Sequence, residues 1–103
     1  MLFLEELFVA RNVDDLETVV YALQRDIPVA RLYCVVYFED RNRIELFSSG
    51  QLLSGYFKEL YYEKARIAGV AYGKHSGMQL IADMCKETIR KGKDYKNPME
   101  WVN

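Results

Sequence analysis

The residues best placed for chemistry lie in the segment Gly73-Lys74-His75-Ser76-Gly77, between a predicted strand and a predicted helix. At such a junction, free backbone N–H groups and the positive end of the helix dipole can hold an anion. The segment is not a P-loop, because three residues separate Gly69 from Gly73 where the motif has four, and His75 stands between Lys74 and the hydroxyl residue. The sequence predicts an anion-binding loop here. A glycine-rich turn with a capping serine is the alternative.

The same loop resembles the one that holds the cofactor pyrophosphate in GNAT-type acetyltransferases. The resemblance rests on the segment 73–77 and covers fewer than about a dozen residues of the chain. The chain ends before the further strand that such an enzyme would use. The resemblance implies a small enzyme for an acyl or phosphate ligand, which is the third of three functional hypotheses.

Conventional catalysis has little support in the remaining residue types. His75 is the one histidine of the chain, and its neighbour Ser76 is poorly placed for proton transfer at a helix start. Cys34 and Cys85 both fall in apolar patterns, which is typical of buried free thiols in a reducing compartment. No Cys-x-x-Cys occurs, so no zinc, iron–sulfur or haem ligand set is present. We predict no catalytic residue, no metal and no cofactor.

Composition predicts one small globular domain in the cytoplasm. The chain has 103 residues, of which 50% are hydrophobic and 28% charged. Its longest apolar stretch, Leu32 to Phe38, is much shorter than the roughly 20 residues of a membrane span. Glu5 and Glu6 stand where a signal peptide would be basic. We expect no membrane association.

Hydrophobic periodicity divides the chain into strands and helices. Strands are predicted at 2–10, 30–38, 43–47 and 67–72, although a helical turn stays open for the first. Helices are predicted from a cap at Asn12 to Ile27, at 50–66 and at 76–91. Ser76 and Gln79 predict a capping box for the third helix. Residues 1–92 are the predicted domain, and 93–103 a predicted extended tail.

The order β-α-β-β-α-β-α predicts an α+β fold. It matches the ferredoxin-like split βαβ arrangement with an additional C-terminal helix and an antiparallel sheet packed on helices. In the rival architecture, residues 50–91 form two helices broken near Gly73. Ala65, Ala68 and Gly69 would then allow the two helices to approach closely.

The strand predicted at 30–38 is apolar on both of its faces. One face carries Cys34 and Val36, and the other carries Tyr33, Val35 and Tyr37. An open sheet face would alternate apolar and polar residues, so a second layer must cover this strand. The third helix, a second copy of the chain and another protein are the candidates. The predicted protein-binding sheet face consists of Tyr33, Val35, Tyr37 and Phe47.

A basic segment at the end of the third helix and in the tail is a second predicted protein-binding surface. Its members are Lys86, Arg90, Lys91, Lys93, Lys96 and Trp101. Such cations could attract an acidic partner. Alternatively, they form a solvated helix end in which cations favour the helix C-terminus.

The leading hypothesis is a small non-enzymatic protein–protein interaction domain with an accessory, regulatory or inhibitor role, which binds another protein or itself. The second hypothesis is single-stranded nucleic-acid binding, with bases stacked on Tyr33, Tyr37 and Phe47. The chain carries a net charge of −1 and lacks the aromatic-and-glycine strand motif of RNA-recognition domains, which disfavours nucleic acid.

Overall fold

Four strands pair into one mixed sheet. The computed structural model describes residues 2–102, apart from the side chains of Leu2 and Tyr62. In chain order the strands are β1 (Leu2–Val9), β2 (Leu32–Phe38), β3 (Arg43–Ser48) and β4 (Ala65–Tyr72). They lie in the order β1-β4-β2-β3, with β1 parallel to β4 and the other two pairs antiparallel. The edges of the sheet are therefore β1 and β3.

Helices cover both faces of this sheet. They are α1 (Leu16–Gln24), α2 (Ser49–Leu52), α3 (Gly55–Tyr61), α4 (Lys74–Arg90) and α5 (Pro98–Val102), with a 3₁₀ turn at Tyr62–Lys64. The first three pack against one face, through residues such as Val19, Leu52 and Phe57. The last two pack against the other face, through residues such as Met84 and Trp101. The sheet is thus the middle of three layers. Within residues 2–102, no helix is both long and apolar enough to cross a membrane.

The predicted α+β class is confirmed, whereas the ferredoxin-like arrangement is not clearly matched. In a split βαβ unit, helical chain connects two parallel strands that flank a third strand. The segment with α2 and α3 does this, because it joins β3 to β4 with β2 between them. However, α1 joins β1 to a strand of opposite direction, and β1 lies parallel to its neighbour β4. The sheet is mixed where an antiparallel sheet was predicted.

The predicted hairpin and first helix are present with shifted ends. Residues 39–42 form the turn of the β2–β3 hairpin, in which Asn42 takes the left-handed conformation at φ 49°. The first helix ends at Gln24, before the predicted Ile27, and Asp26 has a φ of 58° just after it. Asp15 occupies the N-cap position, so Asn12 does not cap this helix.

Residues 49–61 form two short helices in place of the predicted long one. The Ser54 hydroxyl donates to the carbonyl of Gln51 at 2.8 Å and accepts from the Phe57 N–H at 3.3 Å. These two bonds end α2 and begin α3, because they replace main-chain helix bonds at the junction. The strand predicted at 67–72 is confirmed as β4. The rival architecture with two helices over 50–91 is wrong, since residues 65–72 pair with β2.

The predicted extended tail folds back onto the domain. Residues 98–102 form α5, and the Trp101 indole N–H donates to the carbonyl of Tyr95 at 2.8 Å. Trp101 and Val102 then pack against the cluster that contains Val35 and Met84. An aromatic residue in this position gains more by covering the sheet than by remaining in water, which explains why the segment does not stay extended.

Two glycines let α4 lie close to the sheet. A methyl group at Gly69 of β4 would stand 2.9 Å from Leu80 Cδ2 and 3.2 Å from the carbonyl oxygen of Phe8. At Gly77 of α4 it would stand 2.8 Å from Leu46 Cδ1. The pairing of β4 with β2 shifts register next to Gly69, between Val35 and Val36 of β2. The small residues Ala68 and Ala71 of β4 face α4 there.

Gly69→Ala should lower the free energy of unfolding by about 1–3 kcal/mol, because the added methyl group overpacks the contact with Leu80 and the backbone at Phe8. Gly55→Ala is the matched control: no atom lies within 4 Å of the added carbon. Its effect should remain within about 0.5 kcal/mol. Urea denaturation of both variants measures the difference. Equal stability of the two variants would contradict the close packing of α4.

Candidate functional site

The chain's own helices cover most of the predicted protein-binding sheet face. Val35 is 0% exposed and Tyr37 is 6% exposed beneath α4 and α5, while Tyr33 on the same face is half-buried. The Tyr37 hydroxyl donates to Asn42 Oδ1 at 3.1 Å, and burial, followed by the charge of Glu39, raises the pKa of Tyr37. A partner cannot reach Val35 or Tyr37 while α4 and α5 stay in place.

Phe47 lies on the other face, so the predicted grouping with Tyr33, Val35 and Tyr37 is wrong. It pairs with Cys34 across the hairpin, and directly opposite residues of an antiparallel pair share a face. Its ring packs against those of Phe38 and Phe57, with centroids 6.0 Å and 5.1 Å away. The structure therefore does not assemble the three-ring stacking platform that the nucleic-acid hypothesis needs.

Four aromatic rings form a cluster around Phe38, which belongs to the core. Besides Phe47 and Phe57, the ring of Tyr61 lies 5.6 Å from Phe38 in an edge-to-face arrangement. The guanidinium carbon of Arg41 stands 4.7 Å from the centroids of both Phe38 and Tyr61. Cation–π attraction of this kind holds Arg41 over the rings. The cluster is thus apolar below and carries a cation at its rim.

The outer side of this cluster forms a groove of about 570 Å³ that opens to solvent next to the edge strand β3. We call it the aromatic groove; its lining residues are Phe47, Ser48, Gly50, Gln51, Ser54, Tyr56, Phe57 and Tyr61. Tyr56 is 73% exposed and Phe57 only 4% exposed, so one side of the groove faces solvent and its base is buried. Of these residues, sequence analysis selected Phe47 for binding.

Tyr56, Phe57 and Tyr61 belong to the segment that the sequence predicts as one helix over 50–66, in which they fall on one face at helical spacing. The structure divides this segment at Ser54, and in α3 Phe57 is buried whereas Tyr56 is 73% exposed. A serine–glycine pair inside an apolar periodic segment is the feature that indicates such a break.

The predicted basic surface is exposed but not uniformly available. Lys86 of α4 and Lys91, which follows this helix, are exposed. Arg90 forms a bidentate ion pair with Glu87, in which Arg90 Nε lies 2.9 Å from Glu87 Oε2. The hydrogen bond between them lowers the pKa of Glu87 and raises that of Arg90. Lys96 lies over the Tyr95 ring, at 5.9 Å. Trp101 packs inward, away from this surface.

The predicted anion loop is located at the start of α4. Gly73 is the N-cap, with a φ of 87°, and it makes no side-chain capping bond. The helix therefore begins at Lys74, and the capping box predicted at Ser76 is wrong; a capping box occurs instead between Ser48 and Gln51. Lys74 and His75 are exposed, while Gly77 is buried against Leu46.

A cavity of about 440 Å³ lies between this helix start and the chain that follows β1. His75, Ser76 and Asp83 line it from α4, and Arg11 lines it from the other side. Because β1 and β4 run parallel, their carboxyl ends meet at this edge of the sheet, which is where open α/β sheets place ligands. His75 and Ser76 of the predicted loop are thus joined by Arg11, which the sequence did not indicate, while Lys74 stands exposed at the adjoining start of α4.

Asn12 fixes the two sides of this cavity to each other. Its side-chain amide donates to the carbonyl of Tyr72 at 2.8 Å and to Ser76 Oγ at 3.0 Å. Its Oδ1 accepts from the Tyr72 N–H at 3.1 Å. Asn12, predicted as a helix cap, therefore connects the end of β4 with the chain after β1. Sequence spacing could not show this, because the partners lie 60 and 64 residues away.

No side chain near the cavity has the environment of an activated nucleophile. Burial raises the pKa of the Cys34 thiol to about 12, on the far side of the sheet. Cys85 is half-buried on α4, and both thiols are free. Within residues 2–102, no three His, Cys, Asp or Glu side chains are grouped as metal ligands would be.

Tyr72 is bonded by Asn12 at its main chain and by Asp15 at its side chain. Its hydroxyl donates to both carboxylate oxygens of Asp15, at 3.0 Å and 2.9 Å. Burial, followed by this hydrogen bond and by the charge of Asp15, raises the pKa of Tyr72 above 10.0. The folded chain therefore holds the Tyr72 proton more tightly than the unfolded chain does.

The stabilisation linked to Tyr72 is complete below pH 10 and is lost as the pH rises through the raised pKa, because the unfolded chain releases this proton first. Between about pH 9 and pH 11, the free energy of unfolding should therefore fall more steeply for the native chain than for Tyr72→Phe. Asp15→Asn, which keeps the ring and removes the acceptor charge, should also reduce the slope. Urea denaturation over this pH range tests it, and three parallel slopes would contradict it.

Similarity to known proteins supplies no function for this chain, since no protein-family model, no curated protein and no solved structure matches it. Within residues 2–102, several side chains suited to binding converge in the aromatic groove beside β3 and in the cavity at the start of α4.

Proposed function

We propose that this chain is a non-enzymatic protein-binding domain that binds an extended segment of protein along β3, with apolar side chains of that segment in the aromatic groove. The observation that carries the proposal is the position of the groove directly beside an edge strand. The backbone of such a strand can hydrogen-bond a further strand, and a neighbouring pocket can select its side chains.

The edge of β3 supports this proposal through its unpaired backbone. Within residues 2–102, β3 pairs with β2 alone, and none of the main-chain hydrogen bonds outside the regular elements involves residues 43–48. Every second residue of an antiparallel edge strand directs its N–H and C=O groups away from the sheet. These groups can bind another chain without any rearrangement of the core.

The aromatic groove supports it through the area and rigidity of its rings. Tyrosine and phenylalanine supply large contact areas at little cost in side-chain entropy, and exposed tyrosines are enriched where binding energy concentrates. Phe47, Phe57 and Tyr61 are already held by edge-to-face or tilted contacts with centroids 5.1–5.4 Å apart. Tyr56, at 73% exposed, is the ring that gains most from being covered.

The charges on β3 define what the bound segment must contain. Arg43 is exposed and Glu45 half-buried, and neither has an ion-pair partner among the described residues. An antiparallel segment fits when it places an acidic residue opposite Arg43 and a basic residue opposite Glu45. The residue opposite Phe47 lies on the same face as those opposite Arg43 and Glu45, because every second side chain of a strand shares a face, so an apolar residue there reaches the groove.

Peptides selected from a random display library against the chain should carry apolar residues at alternate positions. Their affinity for Tyr56→Ala should be weaker by roughly tenfold or more, because truncating a central tyrosine removes contact area with the peptide and leaves that space to water. Fluorescence polarisation with labelled peptides measures the affinities. Tyr21→Ala is the control, because Tyr21 is also exposed, at 56%, but lies on α1 outside the groove.

Two results would overturn the protein-binding proposal. One is a selection that enriches no common sequence pattern. The other is a set of peptides that bind Tyr56→Ala and the native chain equally well. Circular dichroism of both tyrosine variants shows that the fold is retained, which is expected because neither side chain belongs to the buried core.

A second candidate function is supported by the cavity at the carboxyl ends of β1 and β4. Arg11 and His75 line this space, and Lys74 stands at the start of the 17-residue helix α4. A phosphate-bearing ligand such as coenzyme A suits these charges, together with the positive end of the helix dipole. Asp83 on the same wall opposes an anion, so the supported region is the half nearer Arg11.

Coenzyme A and inorganic phosphate should each raise the melting temperature of the native chain if this cavity holds phosphate. Arg11→Ala and Lys74→Ala should each reduce the shift, because each removes one cation from the site. Lys86→Ala is the matched control, since it removes the same charge from α4 away from the cavity. Differential scanning fluorimetry measures the shifts. Absence of a shift with both ligands, or an equal loss in Lys86→Ala, would contradict the candidate.

A further inference from the structure

We infer that the segment bound along β3 is β3 of a second copy of this chain, so that two sheets join edge to edge across a two-fold axis that passes beside Ile44. This inference rests on the proposed function, because it names the partner of the same edge. Its basis is the charge pattern of the strand, in which Arg43 and Glu45 lie on one face with Ile44 between them.

The two-fold axis fixes which residues meet. An axis perpendicular to the sheet at Ile44 pairs each Ile44 with its own copy, and it places Arg43 opposite the partner's Glu45. By symmetry, Glu45 faces the partner's Arg43. Two ion pairs therefore form between four side chains that have no ion-pair partner among the described residues of the single chain.

The same strand disfavours the neighbouring registers. An axis at Glu45 would place this carboxylate directly opposite its own copy, and like charges in that position are destabilising. An axis at Leu46 would place Glu45 opposite the partner's Phe47 and leave both Arg43 side chains without an acidic neighbour. Registers in which the axis passes between two residues are excluded, because such a shift by one residue would place the two faces of the sheet on opposite sides in the two copies.

The aromatic groove extends this interface in the same register. With the axis at Ile44, the residues that pair between the two strands are Arg43 to Glu45, and the partner's hairpin turn comes next to the end of β3 that carries Phe47. In the single chain the guanidinium of Arg41, in that turn, already stacks on two rings of the aromatic cluster, at 4.7 Å from each centroid. The turn therefore brings a cation to each end of the joined strands, where aromatic rings favour it.

The other edge of the sheet lacks these features. The charged residues of β1 are Glu5 and Glu6, so this strand supplies no cation for a second copy. The pairing of β1 with β4 also shifts between Phe3 and Phe8, which bends the strand and interrupts a regular edge. Self-association by strand pairing is thus specific to β3.

The experiment exchanges the two charges. Arg43→Glu and Glu45→Arg each put like charges opposite one another in a homodimer, and each should weaken self-association at least about tenfold. The double variant Arg43→Glu/Glu45→Arg restores both ion pairs and should associate within about threefold of the native chain. Sedimentation equilibrium from micromolar to millimolar protein measures the association, since an interface of this size lies at the weak end of the range.

A mixture of the two single variants provides the sharpest test. Arg43→Glu carries two acidic residues on the edge and Glu45→Arg carries two basic ones, so the mixture should form a heterodimer although neither variant forms a homodimer. Arg43→Gln and Glu45→Gln, which remove charge without reversal, provide a second set if a reversal lowers folding yield. Each neutral variant should lose association by a smaller factor than the two charge-reversal variants do.

Two outcomes would overturn the inference. One is a native chain that stays monomeric at millimolar concentration. The other is an association that charge exchange leaves unchanged. The display-selected peptides keep this failure distinct from that of the proposed function. If those peptides bind the monomeric chain and lose affinity for Tyr56→Ala, the groove binds protein and only the identity of the partner is wrong.

Discussion

The structure depends on one constraint, which is that β2 has no face suited to water. Leu32, Cys34, Val36 and Phe38 are at most 1% exposed on one side, and Val35 and Tyr37 at most 6% on the other. Burial of this much apolar surface is the dominant favourable term in folding, so each face requires a layer of helices. The hairpin to β3 and the pairing with β4 place β2 inside the sheet, where both layers can reach it. The need to enclose β2 thus selects a three-layer domain.

The closeness of α4 to the sheet follows from the same constraint and determines where binding can occur. Gly69 of β4 lacks the side chain that would collide with Leu80 of α4 and with Phe8, and Gly77 of α4 lacks the one that would collide with Leu46 of β3. With α4 and α5 in place, Tyr37 is part of the core and Tyr33 is half-buried. The opposite layer is less complete, because Tyr56 stays 73% exposed beside the break at Ser54, where the aromatic groove opens. The exposed aromatic surface therefore lies at the edge of the sheet and not in its middle.

Sequence analysis predicted the features that local chemistry determines. The hairpin, β4, α1 and α4 follow from periodicity, and the need for a second layer over β2 follows from its two apolar faces. The order of the strands was not predictable in the same way, because the parallel pairing of β1 with β4 joins segments more than 60 residues apart. Phe47 was assigned to the same face as Val35 but lies on the other face, since register across the hairpin, not ring type, decides the face.

The candidate sites show the same division between local and long-range information. The loop 73–77 was visible because its five residues are consecutive, whereas Arg11 and Asn12 reach it only through the fold. The aromatic groove joins two residues of β3 to three rings from α3, and no spacing rule connects them. Burying β2 needs helices over the faces of the sheet, but nothing in the core requires a layer beside β3, so this edge keeps unpaired backbone groups, an unpaired arginine–glutamate pattern and an exposed ring. Another strand of matching charge would bond these backbone groups and pair these charges. For this reason we propose that the chain binds its partner along β3.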